Sequence, residues 1–168
     1  KYASTIRNSV TNSLDLIDNT LFWSLSQTGN ISYHPCVVAL GPMLEKIKGL
    51  YQLTAEKKKI HINLMNVDGL SVNADENMIY VLLRNLVSNA IKFTPEGKQV
   101  SIDAMQQGAF VAVRVKDEGI GMSPAEVERV FESDHLVLKR GTSSEKGTGL
   151  GLVLCKKFVD LNHGKLLI

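Results

Sequence analysis

The chain has 168 residues, 44% of them hydrophobic and 21% charged, the composition of one globular domain with a short appendage. Its 19 basic and 17 acidic side chains leave a net charge of +2, and its aromatics are not interleaved with basic clusters, which argues against a nucleic-acid or anionic-membrane surface. No apolar run nears the roughly 20 residues that span a bilayer. No signal peptide opens the chain, and Lys1 starts it without a methionine, which reads as a piece excised from something longer. Cys36 and Cys155 lack metal-ligand spacing and are expected to be reduced and mostly buried thiols of a cytosolic domain.

Residues 1 to about 27 are expected to form a helix of their own. Val10, Leu14, Ile17 and Leu21 recur at heptad spacing, with Ile6 and Leu25 extending the stripe, so partner helices are expected. A turn signal at Gln27 to Asn30 separates this helix from the rest, dividing the chain into residues 1–28 and 29–168. A short extended piece from Ile31 to His34 ends at Pro35. A helix follows from about Leu40 to Lys58, with Pro42 tolerable in its first turn and Leu44, Ile47, Tyr51 and Ala55 on its apolar face.

Ile60, Ile62 and Leu64 alternate with His61 and Asn63, which predicts a half-buried strand, and Leu70 to Asn73 a second one after the Asp68-Gly69 turn. A strong helix is predicted from Asp75 to Phe93. Val100 to Met105 and Phe110 to Lys116 read as a hairpin across Gln107-Gly108. A short helix over Pro124 to Phe131, an irregular stretch to Gly147, a helix from Leu150 to Leu161 and a last strand, Lys165 to Ile168, complete the pattern. Strands and helices alternate without strict βαβ order, which fits a mixed sheet covered by helices on one face.

Three features carry chemistry. Asn85, Asn89 and Lys92 lie at i, i+4 and i+7, on one helical stripe. Amide oxygens are hard donors that suit magnesium, and a lysine neutralises phosphate as a point charge; alone, however, such a stripe is more often a solvated polar face. Asp117, Gly119, Ile120 and Gly121 follow an apolar strand, where glycine permits close approach of a ligand and the carboxylate can accept from an exocyclic amine. A plain turn with Asp side-chain chemistry is the bland alternative. Gly147, Thr148, Gly149, Leu150 and Gly151 lead into a helix, where free N–H groups and the positive dipole end favour phosphate; a flexible linker is the alternative.

All three occur in order, and together they resemble the ATP-binding domain of the sensor histidine kinases, of the GHKL or Bergerat superfamily. Asn85 to Phe93 resembles that family's N box, Asp117 to Gly121 its first glycine box, Phe131 its F box and Gly147 to Leu152 its second glycine box. The resemblance runs from about Ser32 to the end, and residues 16–24 look like the second helix of the family's dimerisation hairpin. It implies a two-layer α/β sandwich: a mixed five-stranded sheet with three helices on one face, plus an N-terminal helix.

By similarity, ATP and Mg²⁺ are the expected ligands. Asn89 would ligate magnesium with Asn85 assisting, Lys92 would reach phosphate, and Phe93 would lie against adenine or ribose. Asp117 would accept the adenine amino hydrogen, with Gly119, Ile120 and Gly121 shaping the base pocket. Met122 to Lys146 would be the lid, from which Lys139, Arg140 or Lys146 could meet the γ-phosphate. The expected function is the ATP-binding part of a protein histidine kinase in two-component signalling, cytoplasmic, with a homodimeric parent and a response-regulator partner. The resemblance is compatible with a parent anchored in the bacterial inner membrane.

The chain also departs from the family pattern. The phosphoacceptor box, resembling His-Glu-Leu-Arg-Thr-Pro, is not present, so the chain is not expected to phosphorylate itself. His34, His61, His135 and His163 are expected to be structural or solvated. Ser133, Asp134 and His135 stand where family lids carry a second aromatic. The competing functions are another ATPase of the superfamily, a serine kinase acting on an anti-sigma partner, and a non-catalytic nucleotide-responsive module.

Overall fold

The computed structural model describes residues 32–131, 141–143, 145 and 149–168. The predicted N-terminal helix, the boundary at residue 28 and most of the segment from 132 to 148 lie outside the described residues.

Strand β1 is Pro35–Ala39 and pairs antiparallel with β3, Ser71–Asp75. This corrects the expected extended piece, which stopped where the strand begins. Proline cannot donate to a ladder but is tolerated as the first residue of an edge strand, and the β-branched pair Val37-Val38 follows it. Helix α1, Leu40–Lys57, carries Pro42 in its first turn, as expected, and buries Leu40, Leu44, Ile47, Tyr51 and Ala55. It ends in a Schellman motif: Lys59 adopts φ +52°, its N–H bonds the Glu56 carbonyl at 2.9 Å, and the Ile60 N–H bonds the Ala55 carbonyl at 2.8 Å.

Strand β2, His61–Met65, runs parallel to β4, Gln99–Gln107, which pairs antiparallel with β5, Phe110–Asp117. Among the described residues the mixed sheet layer has five strands in two ladders, antiparallel β1–β3 and mixed β2–β4–β5, where one continuous five-stranded sheet was expected. In β4 the alternate residues Val100, Ile102 and Ala104 are buried, and Val113 and Val115 of β5 stand opposite Ala104 and Ile102 on the same face. Asp117 pairs with Val100, so this two-residue alternation brings its carboxylate out on the helix-covered face, at the strand's end.

Helix α2, Glu76–Phe93, starts directly from β3. Asp75, the last residue of that strand, is also the N-cap, its side chain accepting from the Met78 N–H at 3.1 Å. Helix α3, Pro124–Arg129, is two residues shorter than expected, and its start is fixed by a reciprocal capping box between Ser123 and Glu126. Helix α4, Gly151–Leu161, buries Val153, Leu154, Cys155, Phe158 and Val159, and joins α1, α2 and the strands in one core. It ends as α1 does, with His163 at φ +56° and the Gly164 N–H bonded to the Val159 carbonyl at 2.8 Å.

The predicted strand Lys165–Ile168 does not form. Leu166 packs on the core and Leu167 is 79% exposed, so the alternation is present, but no ladder partner stands beside it among the described residues. A strand is defined by its pairing, which alternation alone cannot supply.

Candidate functional site

The site is organised by the C-terminal end of α2. The last carbonyls of a helix have no partner within it. Here they are taken by the C-cap itself and by three other segments. The Ala90 carbonyl accepts from the Thr94 N–H at 3.1 Å and the Thr94 hydroxyl at 2.6 Å. The Ile91 carbonyl accepts from Lys58 Nζ at 2.8 Å. The Lys92 carbonyl accepts from Lys58 Nζ at 3.1 Å and from the Thr142 N–H at 3.0 Å. The Phe93 carbonyl accepts from the Ile120 N–H at 3.2 Å. One helix end therefore collects the end of α1, the loop after β5 and the turn at 141–145.

The polar stripe of α2 is not a solvated face. Asn85 is buried, and Asn89 and Lys92 are half-buried. Burial pushes the Lys92 ammonium below its ordinary range, and the nearby Glu145 charge partly opposes this. Lys92 Nζ stands 4.8 Å from the centre of the half-buried Phe93 ring, a cation–π distance.

The first glycine-rich loop presses on that helix end. The Gly119 N–H donates to Asp117 Oδ1 at 2.8 Å, closing the turn. A Cβ on Gly119 would lie 2.8 Å from the Phe93 carbonyl oxygen and would also collide with the Asp117 carboxylate. Gly121 adopts φ +66°, the left-handed region. Ile120, at 54% exposure, and Met122, at 41%, leave apolar surface beside Asp117. Phe131 is half-buried in the turn after α3.

The second glycine-rich loop meets α2 further up. Gly149 adopts φ +73°, Leu150 is the N-cap of α4, and a Cβ on Gly151 would lie 3.3 Å from Asn85 Oδ1. The start of α4 is thus held close to Asn85, and the Cys155 thiol donates to the Leu82 carbonyl one turn deeper at 3.7 Å. That thiol is pushed up to about 12 by burial, so it is an inert core group; Cys36, against expectation, is exposed, in strand β1. Of the predicted site residues, Asn85, Asn89, Lys92, Phe93, Asp117, Gly119, Ile120, Gly121 and Gly149 to Gly151 line one margin of the fold around α2. Lys139, Arg140, Lys146, Gly147 and Thr148 lie outside the described residues.

Lys58, Thr142 and Glu145 were not anticipated. Lys58 is only 8% exposed. The available signal was positional: with Ile47, Tyr51 and Ala55 it continues one stripe of α1, so a charge is carried into the interior where a partner is required. Among the described residues no group of three or more His, Cys, Asp or Glu could hold a metal ion. The donors offered here are amide oxygens, which suit a cation that completes its shell with water and phosphate.

Comparison with known proteins agrees with this geometry. Residues 74–168 match the family described as histidine kinase-, DNA gyrase B-, and HSP90-like ATPase. The chain is 29% identical to the sensor histidine kinase WalK of Bacillus subtilis, over 99% of its own length and 28% of WalK. The catalytic domain of the histidine kinase ThkA superimposes with a TM-score of 0.64 at 27% identity, covering 77% of this chain and 82% of that one. Full-length ShkA in complex with AMPPNP gives 0.72 at 26% identity, covering 95% of this chain and 33% of that one. The chain spans less than a third of the length of WalK.

Proposed function

The chain belongs to the histidine kinase-, DNA gyrase B-, and HSP90-like ATPase family, and on that premise we propose that it is the ATP-binding catalytic part of a sensor histidine kinase. The observation that carries this is the convergence of both glycine-rich loops on α2, Gly119 against Phe93 and Gly151 against Asn85.

Asp117 would orient the base by accepting from its amino group, between Ile120, Met122 and Phe93 as apolar walls. Lys92 would meet phosphate oxygens, and the start of α4 would turn its free N–H groups toward them. Asn89, assisted by Asn85, would hold magnesium, which neutralises triphosphate charge during transfer. Lys139, Arg140 and Lys146 are the candidate partners of the γ-phosphate. None of the roles proposed for these residues is that of a nucleophile. The chain's part is positioning and charge stabilisation, and the acceptor would be a histidine elsewhere in the parent.

Domain arrangement follows the same proposal: residues 1–28 would complete a dimerisation hairpin, and residues 29–168 would hold nucleotide. A response regulator would take the phosphate onward. ThkA has been solved in complex with the response regulator protein TrrA, and this supports a partner of that kind. The proposed use of ATP supports a cytoplasmic location, and no helix among the described residues is long and apolar enough to cross a membrane.

The test uses the full-length gene product with Mg-ATP. Acid-labile, base-stable phosphate on the parent, lost on Asn89→Ala, is the expected result, with none on the 168-residue chain alone. Acid-stable phosphate would point instead to a serine kinase, and acid-labile phosphate on the isolated chain would contradict the missing acceptor.

A further inference from the structure

Among the described residues, Lys58 is a buried ammonium whose contacts join three separate segments. Its Nζ is within hydrogen-bond distance of four acceptors: the Ile91 carbonyl at 2.8 Å, the Lys92 carbonyl at 3.1 Å, Thr142 Oγ1 at 2.7 Å and Glu145 Oε1 at 3.1 Å. Two of these are the final turn of α2, where the dipole end is negative and a cation is favoured. The other two belong to the turn at 141–145.

That turn is built around the same group. The Gly141 N–H bonds the Glu145 carbonyl at 2.9 Å, and the Ser143 N–H bonds Glu145 Oε2 at 2.7 Å, so both carboxylate oxygens are engaged. Thr142 bonds the Lys92 carbonyl through its N–H and the Thr94 carbonyl through its hydroxyl, at 2.8 Å. A Cβ on Gly141 would fall 2.6 Å from Lys92 Cγ and would also strike the Glu145 carboxylate. The aliphatic part of Lys92 is therefore clamped between its own helix and a turn that Lys58 fastens.

We propose that Lys58 is a positioning residue for the phosphate side of the nucleotide site: it fastens the 141–145 turn over the end of α2 and so fixes the course of the Lys92 side chain. This rests on the function proposed above. Lys58 need not touch the nucleotide. Its ammonium is saturated by protein acceptors, since it has three donors for four oxygens. Its effect is then specific to ligands that carry phosphate, because Asp117 and Gly119 are held to α2 by a different bond, from Ile120 to Phe93.

The experiment is a double-mutant cycle on Lys58→Met and Lys92→Met, reading AMPPNP with magnesium by calorimetry and adenosine by NMR titration. Lys58→Met is expected to weaken AMPPNP by about tenfold, the size of one charge-assisted contact, with adenosine unchanged. It should add nothing further once Lys92 is Met. Additive losses, or an equal loss for adenosine, would overturn the proposal. Should Lys58→Met fail to fold, Thr142→Val removes the shortest of the four bonds and carries the same test, with the same two outcomes. If the unmutated chain binds neither ligand, the proposed function fails, independently of Lys58.

Discussion

The Ile120 amide donates to the Phe93 carbonyl at 3.2 Å, so the loop that would hold the base hangs from the last residue of the helix that would hold the metal. The two halves of the site therefore share one mechanical support, and damage at that joint should reach both.

Gly119→Ala tests the joint. Its Cβ would lie 2.8 Å from the Phe93 carbonyl oxygen, a backbone atom that cannot swing aside. The expected result is a loss of about 1–3 kcal/mol of stability, as for overpacking elsewhere, together with a large loss of nucleotide affinity. Unchanged affinity in urea-stable protein would mean that the loop is not seated as described.

Asp75→Ala tests the base of α2. Asp75 is buried, caps the helix through Met78 and accepts from the His34 N–H at 2.9 Å. Its removal leaves two donors unsatisfied and is expected to cost about 2–4 kcal/mol in urea denaturation. Asp75→Asn, which keeps a cap, should recover most of that. Equal losses for both variants would remove capping as the cause.

The turn at Lys59 offers a gain. Its φ of +52° is the left-handed region, which a side chain occupies at a penalty and glycine does not. Its pairing with Glu96 is fully solvated and adds little. Lys59→Gly is expected to raise the thermal midpoint by roughly 2–4 °C with nucleotide affinity unaltered, and a lower midpoint would be the contrary result.

These cases separate what the sequence made legible from what it did not. Helices α1, α2 and α4 followed from apolar periodicity, and Asp75 was recognisable as a start signal because a capping residue precedes a periodic run. The two glycine-rich loops were legible because glycines at alternate positions point to a backbone that must turn sharply or be approached closely. Lys165–Ile168 misled, because alternation registers which face is apolar and not whether a neighbour strand is present. Pro35 misled in the opposite sense, since an edge strand tolerates what a central strand does not. Lys58, Thr142 and Glu145 could not be assembled from spacing at all: Thr142 and Glu145 lie 84 and 87 residues from Lys58 in sequence and meet it only through the fold.

Acid should loosen the clamp at that meeting point. Burial pushes the Glu145 carboxyl up, but its backbone hydrogen bonds and Lys58 outweigh this and hold it below the usual carboxylate range. A carboxyl whose folded value is depressed contributes stability that is present above its unfolded value, about 4.3. That stability is lost as pH falls through the folded value. The difference in thermal midpoint between the unmutated chain and Glu145→Gln should therefore shrink as pH drops below about 4. A difference that stays constant across that window would mean that the Glu145 charge contributes nothing.

One pocket, formed by α2 and both glycine-rich loops, is proposed to hold ATP with magnesium. Calorimetric titration of the chain with AMPPNP, with and without magnesium, tests it most directly. The expected result is one site, strengthened by magnesium, whose magnesium dependence disappears in Asn89→Ala and whose binding disappears when Asp117→Ala is added. Binding that survives both substitutions unchanged, or no binding by the unmutated chain, would contradict it.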